Sequence, residues 1–216
     1  MPKRPVPDAT VARLPLYLRG LITAAEAGRP TVSSDELATA SGVTSANVRK
    51  DLSFLETTGT RGIGYSVGSL TDEISAVLGL AGERPLVIVG IGNLGRALVT
   101  YDGFSRRGFV VTALLDVDPR KVGTTIGGLV IEDLADLETV VADRDVTIAV
   151  LATPAHAAQD VADRLVGVGV TAVLNFAPTH LDVPSHVTVR KVDVSSELQI
   201  LSFYEQASKG RLATGA

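Results

Sequence analysis

The chain has 216 residues, 45% of them hydrophobic, which is enough to fill one large core or two small ones. It has no cysteine, which excludes disulfides, thiolate metal sites and thiol catalysis, so any redox sensing must use a bound cofactor. The net charge is −4. Residues 1–64 contain eight basic and six acidic residues, whereas residues 65–216 contain 12 basic and 18 acidic ones. The excess of positive charge in the N-terminal part is too small to predict DNA binding by itself.

No segment has the composition of an export signal or a membrane span. Residues 1–15 lack the apolar core of a signal peptide, and no run approaches the roughly 20 apolar residues that cross a bilayer. We therefore expect a cytoplasmic protein with no membrane partner.

Residues 1–80 are predicted to form a helical domain. Apolar residues recur at helical spacing over 11–27, and a shorter helix with acidic residues in its first turn covers 34–42. A third helix begins at a cap on Thr44 or Ser45 and runs to about residue 56. The tight glycine-containing turn between the second and third helices predicts a helix-turn-helix.

The segment after the third helix is rich in glycine. Gly59, Gly62 and Gly64 disfavour a helix and predict a small β-hairpin over residues 58–65, in the position of a wing. A further helix, capped near Ser69, is expected to bridge to a second domain.

Composition changes near residues 81–85, where we place a domain boundary. Beyond it, short apolar runs typical of strands buried on both faces alternate with helical segments, which predicts a doubly wound parallel sheet of the Rossmann kind over 81–194. The predicted strands are 86–89, 110–115, 147–151 and 171–174, and the predicted helices are 94–101, 134–141 and 155–166.

A glycine-rich motif follows the first of these strands and opens the first helix. In this setting GxGxxG is a specific fingerprint for a dinucleotide, because its glycines permit a tight turn, close approach of the pyrophosphate and close helix packing. The alternative is a glycine-rich turn without a ligand. The predicted contacts are Gly90, Ile91, Gly92, Asn93, Leu94 and Gly95.

An acidic residue is expected at the end of the second strand, and Asp116 stands there. Its carboxylate would accept hydrogen bonds from the adenosine ribose and repel a 2′-phosphate, which favours NAD over NADP. Asp118 competes for this role, and the nearby Arg120 and Lys121 leave NADP open.

An enzyme is the alternative from another class of function. A small NAD-dependent dehydrogenase with an N-terminal dimerisation module is compatible with the fingerprint. However, few residues remain for a substrate domain, and His156, His180 and His186 lie in proline-containing or polar segments typical of ordinary loops. We therefore expect no catalytic residue and no bound metal.

Several separated motifs resemble the Rex family of redox-sensing repressors, and the similarity covers nearly the whole chain. They are residues 13–19 (RLPLYLR), 33–34 (SS), 48–53 (VRKDLS), 59–65 (GTRGIGY), the glycine fingerprint, 153–155 (TPA) with 158–159 (AQ), 174–178 (LNFAP), and 192–194 (VDV) with 197–198 (EL). The resemblance implies a repressor that binds operator DNA and is released when NADH binds, so that it responds to the ratio of NADH to NAD⁺.

The resemblance also implies a homodimer that reads a palindrome. Residues 195–216 would form a C-terminal helix swapped onto the partner subunit, and apolar residues such as Ile200, Leu201 and Phe203 agree with burial against another chain. Docking of this helix on its own domain is the alternative.

In the family the third helix enters the major groove and the wing contacts the minor groove. Carried onto this sequence, the DNA contacts are Ser45, Ala46, Asn47, Arg49, Lys50 and Arg61. Asp51 is a poor DNA contact, and we expect it to orient a neighbouring arginine instead.

The resemblance further implies a switch formed by Arg19, Tyr101 and Asp193, with Tyr101 and Val194 against the nicotinamide of NAD(H). Oxidised and reduced nicotinamide differ by a unit charge, which a carboxylate and an aromatic face can distinguish. This chain departs from the family in two places. Residues 54–56 (FLE) replace the usual Tyr-Phe-Gly and add a negative charge near the wing, and Val194 stands where some relatives have an aromatic residue.

Overall fold

A computed structural model describes the backbone of residues 5–213 and the side chains of residues 5–209. The chain divides into two compact units, with the division between Gly82 and Glu83. This lies two residues beyond the predicted boundary, and the functional domains assigned to residues 1–80, 81–194 and 195–216 remain a prediction.

The first unit is a helical domain with a two-stranded antiparallel sheet. Its buried core draws on every helix from the second to the fifth and centres on large side chains such as Leu14, Leu37, Leu52 and Ile74. The elements are α1 (Asp8–Val11), α2 (Leu14–Glu26), β1 (Thr31–Val32), α3 (Ser34–Ser41), α4 (Ser45–Leu52), β2 (Tyr65–Ser66) and α5 (Val67–Val77).

Capping side chains set where these helices begin. Ser33 and Glu36 form a reciprocal capping box at α3, so the cap precedes Ser34. Thr44 accepts the Asn47 N–H at the start of α4. Ser66 caps α5, and the prediction of a start near Ser69 is therefore wrong by three residues.

Two other predictions for this unit need correction. The predicted helix over residues 11–27 is interrupted between α1 and α2, where Pro15 occupies the first turn of the second helix, a position in which proline is tolerated. The predicted third helix ends at Leu52 rather than near residue 56. The Glu73 carboxylate accepts the Glu56 and Thr57 N–H groups, which holds that segment outside the helix.

The wing is not the β-hairpin predicted over residues 58–65. Within this segment one isolated bridge joins Thr60 and Gly64. The strand at its end, β2, pairs instead with β1, in the register Thr31 with Ser66 and Val32 with Tyr65. The glycine-rich segment is therefore a tight turn whose base is held by a partner from earlier in the chain.

The second unit contains a seven-stranded sheet, in the order β5-β6-β4-β3-β7-β8-β9. All described neighbours in it pair in parallel except β5 and β6. The strands are β3 (Arg84–Val89), β4 (Phe109–Asp116), β5 (Thr125–Ile126), β6 (Leu129–Asp133), β7 (Ile148–Leu151), β8 (Ala172–Asn175) and β9 (Thr188–Lys191).

Helices connect these strands and cover both faces of the sheet. They are α6 (Asn93–Val99), α7 (Leu137–Asp143) and α8 (Ala155–Gly167), whereas the long C-terminal α9 (Val194–Ala213) follows β9 and its described side chains are mostly exposed. Apolar side chains of β3, β4 and β7 point alternately into a cluster with α7 and α8 and into a second cluster on the opposite face. The predicted α/β class is confirmed. Among the described residues, no helix is long and apolar enough to cross a membrane.

Candidate functional site

The topology of the second unit places one strand at a switch point. Strand β3 pairs with β4 on one side and with β7 on the other. The connection after β3 leads to β4, and the connection after β7 leads in the opposite direction, to β8. In open α/β sheets ligands bind in the crevice at such a point. The predicted glycine motif lies there, directly after Val89.

Two glycines of the motif are required by close approach of the backbone. Gly90 has a φ of +93°, and a Cβ on it would lie 2.6 Å from the Ala152 carbonyl oxygen after β7. A Cβ on Gly95 would lie 2.1 Å from the Gly90 carbonyl oxygen, which explains how α6 packs so closely on its strand. These two positions therefore exclude any larger residue for structural reasons.

The middle glycine differs, because nothing in the protein lies within 4 Å of a Cβ built on Gly92. Gly92 is the N-cap of α6, and its neighbours Asn93 and Leu94 are exposed, whereas Ile91 is fully buried and anchors the loop. The first N–H groups of a helix have no partner within the helix, so those of α6 are available to a phosphate.

Asp116 is buried at the end of β4 and is bound on both carboxylate oxygens. Its Oδ2 accepts the Ile91 N–H at 2.7 Å and the Lys121 ammonium at 2.9 Å, and its Oδ1 accepts the Asp118 N–H. Burial alone would raise the pKa of Asp116, but the Lys121 and backbone hydrogen bonds lower it below its usual value. The carboxylate is therefore charged and tied to the glycine loop.

Asp118, the competitor for this role, is engaged elsewhere. Its carboxylate accepts two hydrogen bonds from the exposed Arg120 guanidinium and one from the Arg120 N–H. This pairing lowers the pKa of Asp118 to about 2. Asp116 alone of the pair is linked to the loop that opens α6.

The structure places the predicted switch residues as follows. Arg19 is exposed on α2 of the first unit. In the second unit, Tyr101 is 53% exposed just after α6, with its ring edge-on to Phe104. Asp193 accepts the N–H groups of Ser195 and Ser196 and so caps α9, whose first residue is the exposed Val194.

Of the predicted DNA contacts, the structure brings Arg49 and Arg61 together in one groove of the first unit. On α4, Ala46, Asn47, Arg49 and Lys50 are exposed, and Ser45 is half-buried. A groove of about 480 Å³ brings Arg49 and Arg61 together, along with residues that the sequence did not single out as DNA contacts. Those residues are Ser33, Ser34, Asp35 and Tyr65.

Arg49 donates from Nη1 to the Ser34 hydroxyl at 3.0 Å, so the start of α3 holds a side chain of α4. The sequence contains a feature that could have indicated Ser33 and Ser34 as candidate DNA contacts. It is the S-x-x-E capping box at Ser33, which predicts a helix N-terminus, a place where phosphate binding is favoured.

Asp51 faces away from this surface. Only 1% of its side chain is exposed, and it accepts hydrogen bonds from Arg13, Tyr17 and Thr10. The arginine that it orients is therefore Arg13, 38 residues earlier in the chain, and not a neighbour in sequence.

Two family models match the chain, the putative DNA-binding protein N-terminus over residues 5–53 and the CoA binding domain over residues 83–179. The redox-sensing transcriptional repressor Rex of Streptomyces griseus is 56% identical over 96% of this chain and 82% of its own length. The chain belongs to the Rex family. The Rex of Streptomyces coelicolor is 57% identical over 97% of this chain and 81% of its own.

Solved structures of a Rex-family repressor are similar to this chain over nearly its whole length. The Rex-family repressor RSP superimposes with a TM-score of 0.87 at 32% identity, over 99% of this chain and all of RSP. RSP in complex with NAD⁺ and operator DNA gives a TM-score of 0.88 at 33% identity, with the same coverage. A third structure holds RSP with NADH.

Proposed function

We propose that this Rex-family chain is a redox-sensing transcriptional repressor that binds palindromic operator DNA as a homodimer and releases it when NADH binds. The observation that carries the proposal is the presence, in one short chain, of a cationic helix-turn-helix face and a glycine cradle at a Rossmann switch point. A protein of this kind acts in the cytoplasm, where its DNA and its nucleotide are found.

The residues of the cradle fit NAD(H). Gly92 leaves open space where the pyrophosphate must approach, and the buried, charged Asp116 suits the ribose hydroxyls. In addition, the Thr153 hydroxyl beside Gly90 is buried without a hydrogen-bond partner, as expected of a group that awaits a ligand. RSP, to which this chain is similar, was crystallised with both NAD⁺ and NADH.

When bound, the nicotinamide supplies a unit difference in charge between its two oxidation states. We assign the glycine loop over residues 90–95 and Asp116 to binding, and Tyr101, Asp193 and Val194 to reading the ring. Arg19 of the first unit would complete the switch. The Asp193 carboxylate accepts the N–H groups of Ser195 and Ser196 at the start of α9. A shift of this carboxylate towards a bound cationic ring would therefore also shift the start of α9.

We assign DNA reading to Arg49 and Lys50, flanked by Ser45, Ala46, Asn47 and the wing residue Arg61. An arginine suits paired hydrogen bonds to a guanine edge, and a lysine suits phosphate. The contact of Arg49 with Ser34 supports this assignment, because it orders a long side chain that would otherwise lose entropy on binding.

The homodimer is supported by the surface of the second unit. Leu198, Leu201, Phe203 and Tyr204 of α9 are each more than 60% exposed in the isolated chain, as an apolar helix is when its partner is absent. The sheet face lined by Phe104, Ile148 and Leu174 forms a second open apolar surface. We propose that a second copy of the chain buries both.

A regulatory rather than catalytic role is also part of the proposal, because the similar proteins are named as repressors. His156 lies at the start of α8, and His180 and His186 lie in the loop between β8 and β9.

Fluorescence anisotropy tests the proposal directly. A duplex that the wild-type chain selects from a randomised library is titrated with protein, alone and with NADH or NAD⁺. We expect NADH to release the duplex at concentrations where NAD⁺ does not. Gly92→Ala should keep DNA binding but lose the NADH response, whereas the matched Gly167→Ala, also in open space, should behave as wild type. Equal DNA affinity with both nucleotides would refute the proposal.

A further inference from the structure

We propose that Asp51 is a positioning residue which, with Arg13, Tyr17 and Thr10, fixes α4 in the orientation that discrimination between DNA sequences requires. The inference rests on the proposed DNA binding and assigns a role to a residue that would not itself contact DNA.

The hydrogen bonds of Asp51 fill its carboxylate. Arg13 donates from Nε to Oδ2 at 2.6 Å and from Nη2 to Oδ1 at 2.7 Å. Tyr17 donates from its hydroxyl to Oδ2 at 2.6 Å, and Thr10 from its hydroxyl to Oδ1 at 2.8 Å. All the donors come from residues 10–17, so one side chain of α4 is tied at four points to the α1–α2 segment.

This arrangement keeps a charge where burial disfavours it. Desolvation would raise the pKa of Asp51, but the hydrogen bonds from Arg13, Tyr17 and Thr10 lower it below its usual value. Burial and the hydrogen bond to Asp51 raise the pKa of Tyr17 to about 12. The group therefore remains an ion pair with a neutral phenol donor throughout the physiological range.

The hydrogen bonds of Asp51 add direction to the apolar packing of α4. The helix is only eight residues long, and its buried Val48 and Leu52 contribute a non-directional hydrophobic contact. A bidentate arginine–carboxylate pair adds direction. Because Arg49 lies two residues before Asp51 on the same helix, a small rotation of the helix would displace the Arg49 side chain from the base edges.

The ion pair is a poor candidate for a purely stabilising role. Replacing a buried ion pair by apolar residues of similar volume is often neutral or stabilising, whereas removing one partner leaves an unpaired charge. Stability and positioning can therefore be separated by the double substitution Arg13→Met with Asp51→Leu.

The test compares this double variant with the wild type and with Leu55→Met, a conservative change in the same core outside the network. Three quantities are measured in each protein: the melting temperature, the affinity for the duplex selected by the wild type, and the affinity for a scrambled duplex of equal length and composition. We expect the double variant to fold but to melt below the wild type, because the buried Tyr17 and Thr10 hydroxyls lose their acceptor, and to bind scrambled DNA as well as the wild type does. Its preference for the selected duplex should fall by about tenfold or more, the effect of losing one good base contact. Leu55→Met should retain the preference.

A double variant that folds and keeps its preference for the selected duplex would overturn the inference. If the double variant does not fold, Tyr17→Phe and Thr10→Val each remove one hydrogen bond with little change of shape. A reduced preference in a variant that is fully folded at the assay temperature then supports the inference, and an unchanged preference overturns it. A wild-type chain that selects no duplex would defeat the proposed function as well, which distinguishes the two failures.

Discussion

Two buried aspartates, Asp51 and Asp116, perform similar tasks in the two units. Each lies at or near the end of an element, each is charged despite burial, and each fixes a loop or helix through several hydrogen bonds. The sequence predicted Asp116 because its distance from the glycine motif is constant in this fold. It could not predict the partner of Asp51, because Arg13 approaches it only through tertiary packing.

At the residue scale, we propose that the Lys121–Asp116 pair determines the choice between NAD(H) and NADP(H). The carboxylate would repel a 2′-phosphate, and it neutralises the Lys121 ammonium bonded to it. Asp116→Asn removes the repulsion and frees Lys121. We therefore expect the affinity for NADPH relative to NADH to rise by about tenfold, which corresponds to roughly 1.4 kcal/mol. Calorimetric titration with both nucleotides measures this ratio.

The double variant Asp116→Asn with Lys121→Gln serves as the control. It lacks both the repelling carboxylate and the freed ammonium, so most of the gain in NADPH affinity should disappear. If Asp116→Asn discriminates against NADPH as strongly as the wild type does, Asp116 does not set the preference.

At the scale of elements, the apolar strands were predictable and the polar ones were not. The runs that became β3, β4, β7 and β8 are buried, and burial imposes a continuous apolar pattern. Strand β9 reads TVRK and is largely exposed, and β5 has only two residues, so neither carries that pattern. The wing was misjudged because glycines indicate a turn but not the strand with which its base pairs.

Two substitutions on helix α4 should affect DNA specificity and overall DNA affinity separately. We expect Arg49→Ala to cost about 1–3 kcal/mol on a selected duplex and to relax the preference at one base position. Lys50→Ala should weaken binding to all duplexes and reduce the salt dependence by about one phosphate contact. Anisotropy titrations over a range of salt concentrations measure both effects. The exposed Arg106 in the other unit provides a matched control, and equal losses for Arg49→Ala and Arg106→Ala would contradict the assignment.

Helices α7 and α8 are joined by an ion pair whose effect depends on pH. Arg164 donates to both oxygens of Glu138, at 2.6 and 2.7 Å, and this hydrogen bonding lowers the pKa of Glu138 from 4.5 to about 2. A folded-state pKa below the unfolded one means that the pair stabilises the fold above about pH 4.5 and ceases to do so as the pH falls towards 2.

Glu138→Gln should therefore melt below the wild type at neutral pH, with the difference disappearing under acid conditions. Scanning calorimetry at several pH values measures the two melting temperatures. The exposed Glu83→Gln controls for the loss of one negative charge. A difference that persists at the lowest pH would show that packing rather than the ion pair is responsible.

At the scale of the whole molecule, α9 carries apolar side chains around more than one side. With 3.6 residues per turn, Leu198, Ile200, Leu201, Phe203 and Tyr204 extend around more than about half of its circumference. A helix that is apolar on several sides is normally buried between surfaces. Its assignment to a subunit interface could be proposed from sequence, but the distinction from docking on its own domain requires the assembled protein.

Light scattering after size exclusion tests this assignment. Leu201→Glu with Phe203→Gln places polar groups in the proposed interface, and we expect the dimer to dissociate at micromolar concentration while each unit stays folded by circular dichroism. Gln206→Ala, at an exposed polar position of the same helix, should remain dimeric. A double variant that stays dimeric would place the interface elsewhere.

The coupling between nucleotide and DNA is tested most directly by measuring NADH affinity with and without DNA. Binding free energies are reciprocal, so if NADH weakens DNA binding by a given factor, DNA must weaken NADH binding by the same factor. We predict that calorimetric titration of NADH into the wild-type chain saturated with its selected duplex gives a dissociation constant raised by about fivefold or more. If the protein binds NADH while it remains on the duplex, and does so with the same affinity as free protein, the coupling is contradicted.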